Sequence, residues 1–140
     1  MPILDRAPAN GRKANAKTQR SLKVLCIDND PSVVNALARN LQSRGANALG
    51  AYHGMQGYWL ACTEQPDVIV TDIMMPRGHG DYVVECLRRN AKTQSIPVIV
   101  LSGYCSPKLE DRVRELGVEH VFAKPARFEV LFNAICALAE

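Results

Sequence analysis

The chain has 140 residues, 47% of them hydrophobic and 22% charged, a balance that suits one soluble globular domain with a single core and excludes disordered and membrane classes. Its longest apolar runs, such as Val98-Ile99-Val100-Leu101, are too short to cross a bilayer, and no apolar core follows the charged N-terminus as in a secretory signal, so cytoplasmic residence is the expectation. Charge is unevenly placed: residues 1–23 hold six Lys or Arg and one Asp, whereas residues 24–140 hold eleven against thirteen acids. Five cysteines (Cys26, Cys62, Cys86, Cys105, Cys136), scattered and never in C-x-x-C, argue for buried reduced thiols rather than a disulfide framework or a zinc site.

Residues 1–20 mix Pro, Gly, Asn and basic side chains with little periodic apolar content and read as a flexible basic lead-in. They carry no aromatic residue for base stacking and no helix-turn-helix pattern, so no nucleic-acid partner is expected. Residues 21–140 form the folded unit. A strand over Leu22 to Ile27 runs into Asp28-Asn29-Asp30-Pro31, with Asp30 as N-cap and Pro31 opening a helix that ends near Ser43 and is stopped by Gly45. A weaker strand at about Ala48 to Tyr52 precedes a helix from about Met55 to Glu64, closed by Gln65-Pro66.

Val68 to Thr71 is a buried strand that delivers Asp72 at its C-terminal end. Met74 to Gly80 reads as a loop, and Asp81 as the cap of a helix carrying Val83, Val84 and Leu87. A fourth strand (Ile96 to Leu101), a helix (about Lys108 to Leu116), a short strand (His120 to Phe122) and a last helix (Arg127 to Ala139) complete the pattern. Five apolar strands alternating with five helices imply a doubly wound parallel α/β sheet covered on both faces.

In such sheets the chemistry gathers beyond the carboxyl ends of the strands. Asp28 and Asn29 follow strand one, Asp72 follows strand three, Ser102 follows strand four and Lys124 follows strand five. Carboxylates, a hydroxyl and an ammonium from four strand ends suit a divalent cation and a phosphoryl group: hard oxygens for Mg²⁺, the ammonium and hydroxyl for the remaining phosphoryl oxygens.

The segments Ile27-Asp28-Asn29-Asp30-Pro31, Thr71-Asp72-Ile73-Met74-Met75-Pro76 with Gly80, Leu101-Ser102-Gly103 and Lys124-Pro125 together resemble the receiver domain of two-component response regulators, over about residues 22 to 139. The resemblance implies a flavodoxin-like sheet of order 2-1-3-4-5. It implies that Asp72 accepts phosphate from a histidine kinase or histidine phosphotransfer protein, and that Asp28, Asn29, Asp72 and the backbone carbonyl of Met74 hold Mg²⁺. Lys124 would pair with Asp72 and later with the phosphoryl group, while Ser102 would report phosphorylation to a surface that binds a downstream protein, with a homodimer plausible by family. The domain would promote its own phosphorylation and dephosphorylation without being an enzyme toward other substrates.

Two positions depart from that family's pattern, and two more bear on how long a phosphoryl group would last. Asn29 stands where a second acid is usual, which predicts weaker metal binding. Val121 stands where an aromatic switch residue is usual, with Phe122 facing the other way. Met74 and Tyr104 sit at positions that tune loss of phosphate, and neither can orient a water, which predicts slow self-dephosphorylation. A stand-alone regulator or relay component, a receiver portion of a hybrid histidine kinase, and a scaffold impaired in phosphorylation are the alternatives. A flavin-binding flavodoxin is weaker, because the loops are acidic where a flavin phosphate would want Gly, Ser and Thr donors. His79 and Cys105 are read as an ordinary loop histidine and an unreactive thiol.

Overall fold

A computed structural model describes residues 21–73 and 80–140. The elements alternate: β1 (Lys23–Ile27), α1 (Pro31–Ser43), β2 (Asn47–Ala51), α2 (Gly54–Glu64), β3 (Val68–Thr71), α3 (Gly80–Arg89), β4 (Val98–Ser102), α4 (Pro107–Glu115), β5 (His120–Ala123) and α5 (Phe128–Ala139). All strand pairs are parallel and the order is β2-β1-β3-β4-β5, the order that the resemblance implied.

The apolar runs are buried on both faces because successive side chains point to opposite sides of the sheet. Leu25, Ile27, Ile69, Val98 and Val100 pack with Ala61 of α2, Val84 and Leu87 of α3, and Val113 of α4. Val24, Cys26, Val68, Val70, Ile99 and Leu101 pack on the other side with Val34, Leu37 and Leu41 of α1 and Leu131 and Ile135 of α5. The predicted core faces of α1 and α3 are therefore the observed ones, with Val33 only half-buried.

Local signals act as the chain predicts at most ends. Asp30 caps α1, its carboxylate accepting from the Ser32 N–H at 3.0 Å, and Gly45 ends the turn at φ +81°. At α3 the expectation is corrected: the helix already includes Gly80, so Asp81 lies in its first turn, where a negative charge still suits the helix dipole. The cysteine expectation is also narrowed, since Cys26 alone is fully buried and the other four are half-buried, all of them free thiols.

Helix α2 has an unusual section. Its buried residues are the small ones, Gly54, Gly57 and Ala61, while Met55 and Trp59 face outward. The reason is close approach to the sheet: a Cβ on Gly57 would stand 2.4 Å from Cδ1 and 2.7 Å from Cγ1 of Ile27, the residue before Asp28.

Candidate functional site

Register brings the predicted side chains to one edge. Ile27 pairs with both Ala51 and Thr71, and Ser102 pairs with Ala123, so the residues after β1, β3 and β5 emerge beside the end of β4. Three backbone bonds extend the ladder past the strands and fix these residues. The Asp28 N–H donates to the Ala51 carbonyl (3.0 Å), the Asp72 N–H to Ile27 (2.9 Å), and the Lys124 N–H to Ser102 (2.8 Å).

Asp28 and Asp72 are 4% and 6% exposed, and their carboxylates converge on one cation. Lys124 Nζ donates to Asp28 Oδ2 at 2.6 Å and to Asp72 Oδ2 at 2.9 Å. The pairing with Asp72 is the one the resemblance implied; the shorter contact to Asp28 is not, and spacing along the chain carries no signal for it. Asp28 Oδ1 accepts from the Asp30 N–H at 2.9 Å, which orients the carboxylate. Two buried carboxylates would repel each other uncompensated, and the ammonium between them offsets that repulsion.

Burial disfavours the charged form of Lys124, but its hydrogen bonds to Asp28 and Asp72 and their negative charges outweigh this, and its pKa is raised. Because the folded pKa lies above the unfolded one, the stabilisation is complete below the ordinary lysine range and is lost as pH rises through the folded value. Urea midpoints of wild type and Lys124→Met are therefore expected to keep a constant difference through neutral pH and to converge in strong alkali. A difference that shrinks on the acid side of neutrality instead would contradict this assignment.

Ser102 is buried, and its hydroxyl donates to the Tyr104 carbonyl at 2.9 Å, a bond that ties β4 to the loop entering α4. Tyr104 itself is exposed. Asn29 is exposed beside the buried Asp28, and Asp30 is engaged as the α1 cap. Val121 packs on the α4 side with Cys105, Leu109 and Leu116, whereas Phe122 packs on the α5 side, as strand alternation requires. The Lys124–Pro125 peptide is cis. Burial pushes the Cys105 thiol up, the opposite of a reactive cysteine. The basic lead-in over residues 1–20, Met74 and His79 lie outside the described residues.

The donor set fits a small hard cation held by few protein ligands. Asp28 and Asp72 each place an oxygen within 3 Å of one cationic nitrogen, and Mg²⁺ takes one or two carboxylates and keeps several waters. Among the described residues no group of three or more His, Cys, Asp or Glu forms an all-protein cage. Among them, too, no helix is long and apolar enough to cross a membrane.

An open parallel sheet of this strand order, with buried acids and an ammonium at the switch point between β1 and β3, defines a flavodoxin-like domain built for charge rather than for a nucleotide cradle. The chain belongs to the response regulator receiver domain family, whose model matches residues 24–136. It is 31% identical over 118 residues to the DNA-binding dual master transcriptional regulator RpaA of Synechocystis, covering 83% of this chain and 48% of that protein. It is equally 31% identical over 118 residues to protein PilH of Pseudomonas aeruginosa, covering 83% of this chain and 96% of PilH. The chain thus spans about half of the first relative and nearly all of the second. Among solved structures, a response regulator from Burkholderia pseudomallei superposes with a TM-score of 0.75 at 26% identity, covering 84% of this chain and 68% of that one; it contains a phosphorylated aspartic acid and a calcium ion.

Proposed function

We propose that Asp72 accepts a phosphoryl group from a phosphohistidine on a histidine kinase or histidine phosphotransfer protein. An Asp72 carboxylate oxygen attacks phosphorus, the phosphorus–nitrogen bond of the donor breaks, and the imidazole leaves with its electron pair and takes up a proton. The observation that carries this reading is the convergence of Lys124 Nζ on Asp72 and Asp28 at 2.9 and 2.6 Å. It holds a compensating charge where the phosphoryl oxygens would arrive, so little reorganisation is needed in the transition state.

Asp28, Asp72, the Asn29 side-chain carbonyl and the Met74 backbone carbonyl would hold Mg²⁺. When bound, the ion would supply further positive charge to the phosphoryl oxygens. An open groove of about 420 Å³ between α1 and the β5–α5 connection, lined by Val33, Ala36, Asn40, Lys124, Pro125 and Phe128, supports access by a partner's side chain. After transfer, the Ser102 hydroxyl would leave the Tyr104 carbonyl for a phosphoryl oxygen and release the loop into α4, altering the surface offered to a downstream protein. The chemistry is confined to the domain's own modification, in the cytoplasm, with no nucleic-acid partner.

Incubation with Mg²⁺ and a small phosphodonor, followed by intact mass, tests the reading: one added phosphoryl group is expected. No addition would favour the second reading, a scaffold impaired in phosphorylation, which the exposed Asn29 in place of an acid motivates. A related expectation concerns the metal. Asn29→Asp adds a negative charge at the rim and should tighten Mg²⁺ binding roughly tenfold, with the gain shrinking in high salt; an unchanged titration would count against Asn29 as a ligand.

A further inference from the structure

We infer that Thr71 is a positioning residue for phosphate uptake: its buried hydroxyl holds the backbone of Asp72, and through it the direction in which the nucleophilic carboxylate meets phosphorus. The inference rests on the functional reading above and deepens it.

Among the described residues six polar or charged side chains are buried: Asp28, Asp67, Thr71, Asp72, Thr93 and Ser102. Asp28, Asp72 and Ser102 belong to the site. Asp67 accepts from the Lys23 N–H at 2.9 Å and Thr93 donates to the Leu87 carbonyl at 2.7 Å, contacts that fasten the start of β1 and the end of α3. Thr71 remains.

Thr71 is 0% exposed, closes β3, and faces the side of Ile69, with Ile27 and Val100 as its partners across the ladder. These neighbours are all aliphatic, and valine suits a strand as well as threonine does. A hydroxyl in such surroundings is costly unless it is bonded. Its bond goes to the carbonyl of Asp72, at 2.9 Å.

That bond restrains the phosphoacceptor from its second side. The Asp72 N–H already donates to the Ile27 carbonyl at 2.9 Å, and the Thr71 hydroxyl holds the peptide leading on to Ile73, which is itself 2% exposed. Both backbone torsions of Asp72 are thereby held, and its Cβ has one direction. The restraint matters because a cavity of about 10 Å³ borders Asp28, Thr71 and Asp72 on the α1 side, space into which a loosened carboxylate can turn. An attacking oxygen must lie in line with the departing nitrogen, and a misplacement of about 1 Å is enough to slow transfer by one or two orders of magnitude. Fold and site thus ask for different residues at position 71: valine serves the core equally well, and only a hydroxyl serves the nucleophile.

The test is the rate of phosphate uptake from acetyl phosphate at saturating Mg²⁺, followed by intact mass, with urea midpoints measured beside it, for wild type, Thr71→Val and Thr71→Ser. Thr71→Val should take up phosphate roughly tenfold more slowly while unfolding at the same or a higher urea concentration, and Thr71→Ser should run close to the wild-type rate. Uptake by Thr71→Val at the wild-type rate overturns the inference, and so does Thr71→Ser as slow as Thr71→Val, which would assign the effect to the lost methyl group. A slow Thr71→Val that also unfolds at markedly lower urea would make Thr71 a structural residue and overturns it as well. Should Thr71→Val not fold, Thr71→Cys, with its weaker donor, takes its place under the same criteria. Absence of uptake by wild type overturns the functional reading itself, and the inference with it.

Discussion

Asp72→Asn is expected to abolish covalent phosphate uptake while leaving the fold at least as stable as wild type. The first half follows from chemistry: an amide lacks the anionic oxygen that attacks phosphorus. The second follows from the ion pairs. Asp72 is 6% exposed, so its charge is costly to bury, and Lys124 keeps its 2.6 Å contact to Asp28 when Asp72 becomes neutral. No charge is orphaned, and a like-charge repulsion disappears. A gain on the order of 1 kcal/mol is expected. Intact mass after phosphodonor treatment and urea midpoints at neutral pH read the two halves separately. Phosphate still arriving on the variant would show another acceptor, and a loss of several kcal/mol would make Asp72 a structural anchor rather than a nucleophile.

Gly57→Val is expected to destabilise the domain by about 3 kcal/mol, because overpacking adds to the strain of a displaced core residue. The added Cβ alone would stand 2.4 Å from Ile27 Cδ1, and Ile27 is 1% exposed, so its side chain would have to shift within the core. The better helix propensity of valine over glycine recovers only a few tenths of a kcal/mol. The two positions should couple: Gly57→Val with Ile27→Ala should be less destabilised than the sum of the single changes by about 1–3 kcal/mol. Strict additivity in the denaturant cycle would show that the helix simply shifts outward. Since Ile27 precedes Asp28 and its carbonyl accepts the Asp72 N–H, the single variant should also weaken phosphate uptake.

How much of this was legible in the chain depends on whether the cause was local. Asp30 with Pro31, Gly45 and the β-branched runs announce their own roles, because caps, positive φ and strand burial are properties of a few neighbouring residues. That Asp28, Asp72, Ser102 and Lys124 stand at strand ends was legible because each closes such a run. The misplaced α3 cap shows the limit: Gly80 and Asp81 both suit a helix start, and one residue of ambiguity is inherent there. Long-range effects were invisible. Nothing near Arg88 indicates that its guanidinium donates to the carbonyls of Gln94, Ile96 and Leu116, joining the end of α3 to the connection that follows it and to the distant α4–β5 connection. The small buried face of α2 and the Lys124–Asp28 contact likewise depend on which elements meet in space.

The Lys124–Asp28 bond closes across 96 residues, from the end of the first strand to the end of the last. During synthesis, strands β1 and β3 are complete well before the lysine leaves the ribosome. Until it does, the two aspartates have no ammonium between them. A nascent or truncated chain ending before residue 124 would carry the acids without their counterion and would gain little by packing them. Charge balance at the strand ends is thus completed only by the last strand, and a fragment that folds as far as β4 would hold two carboxylates without the ammonium between them.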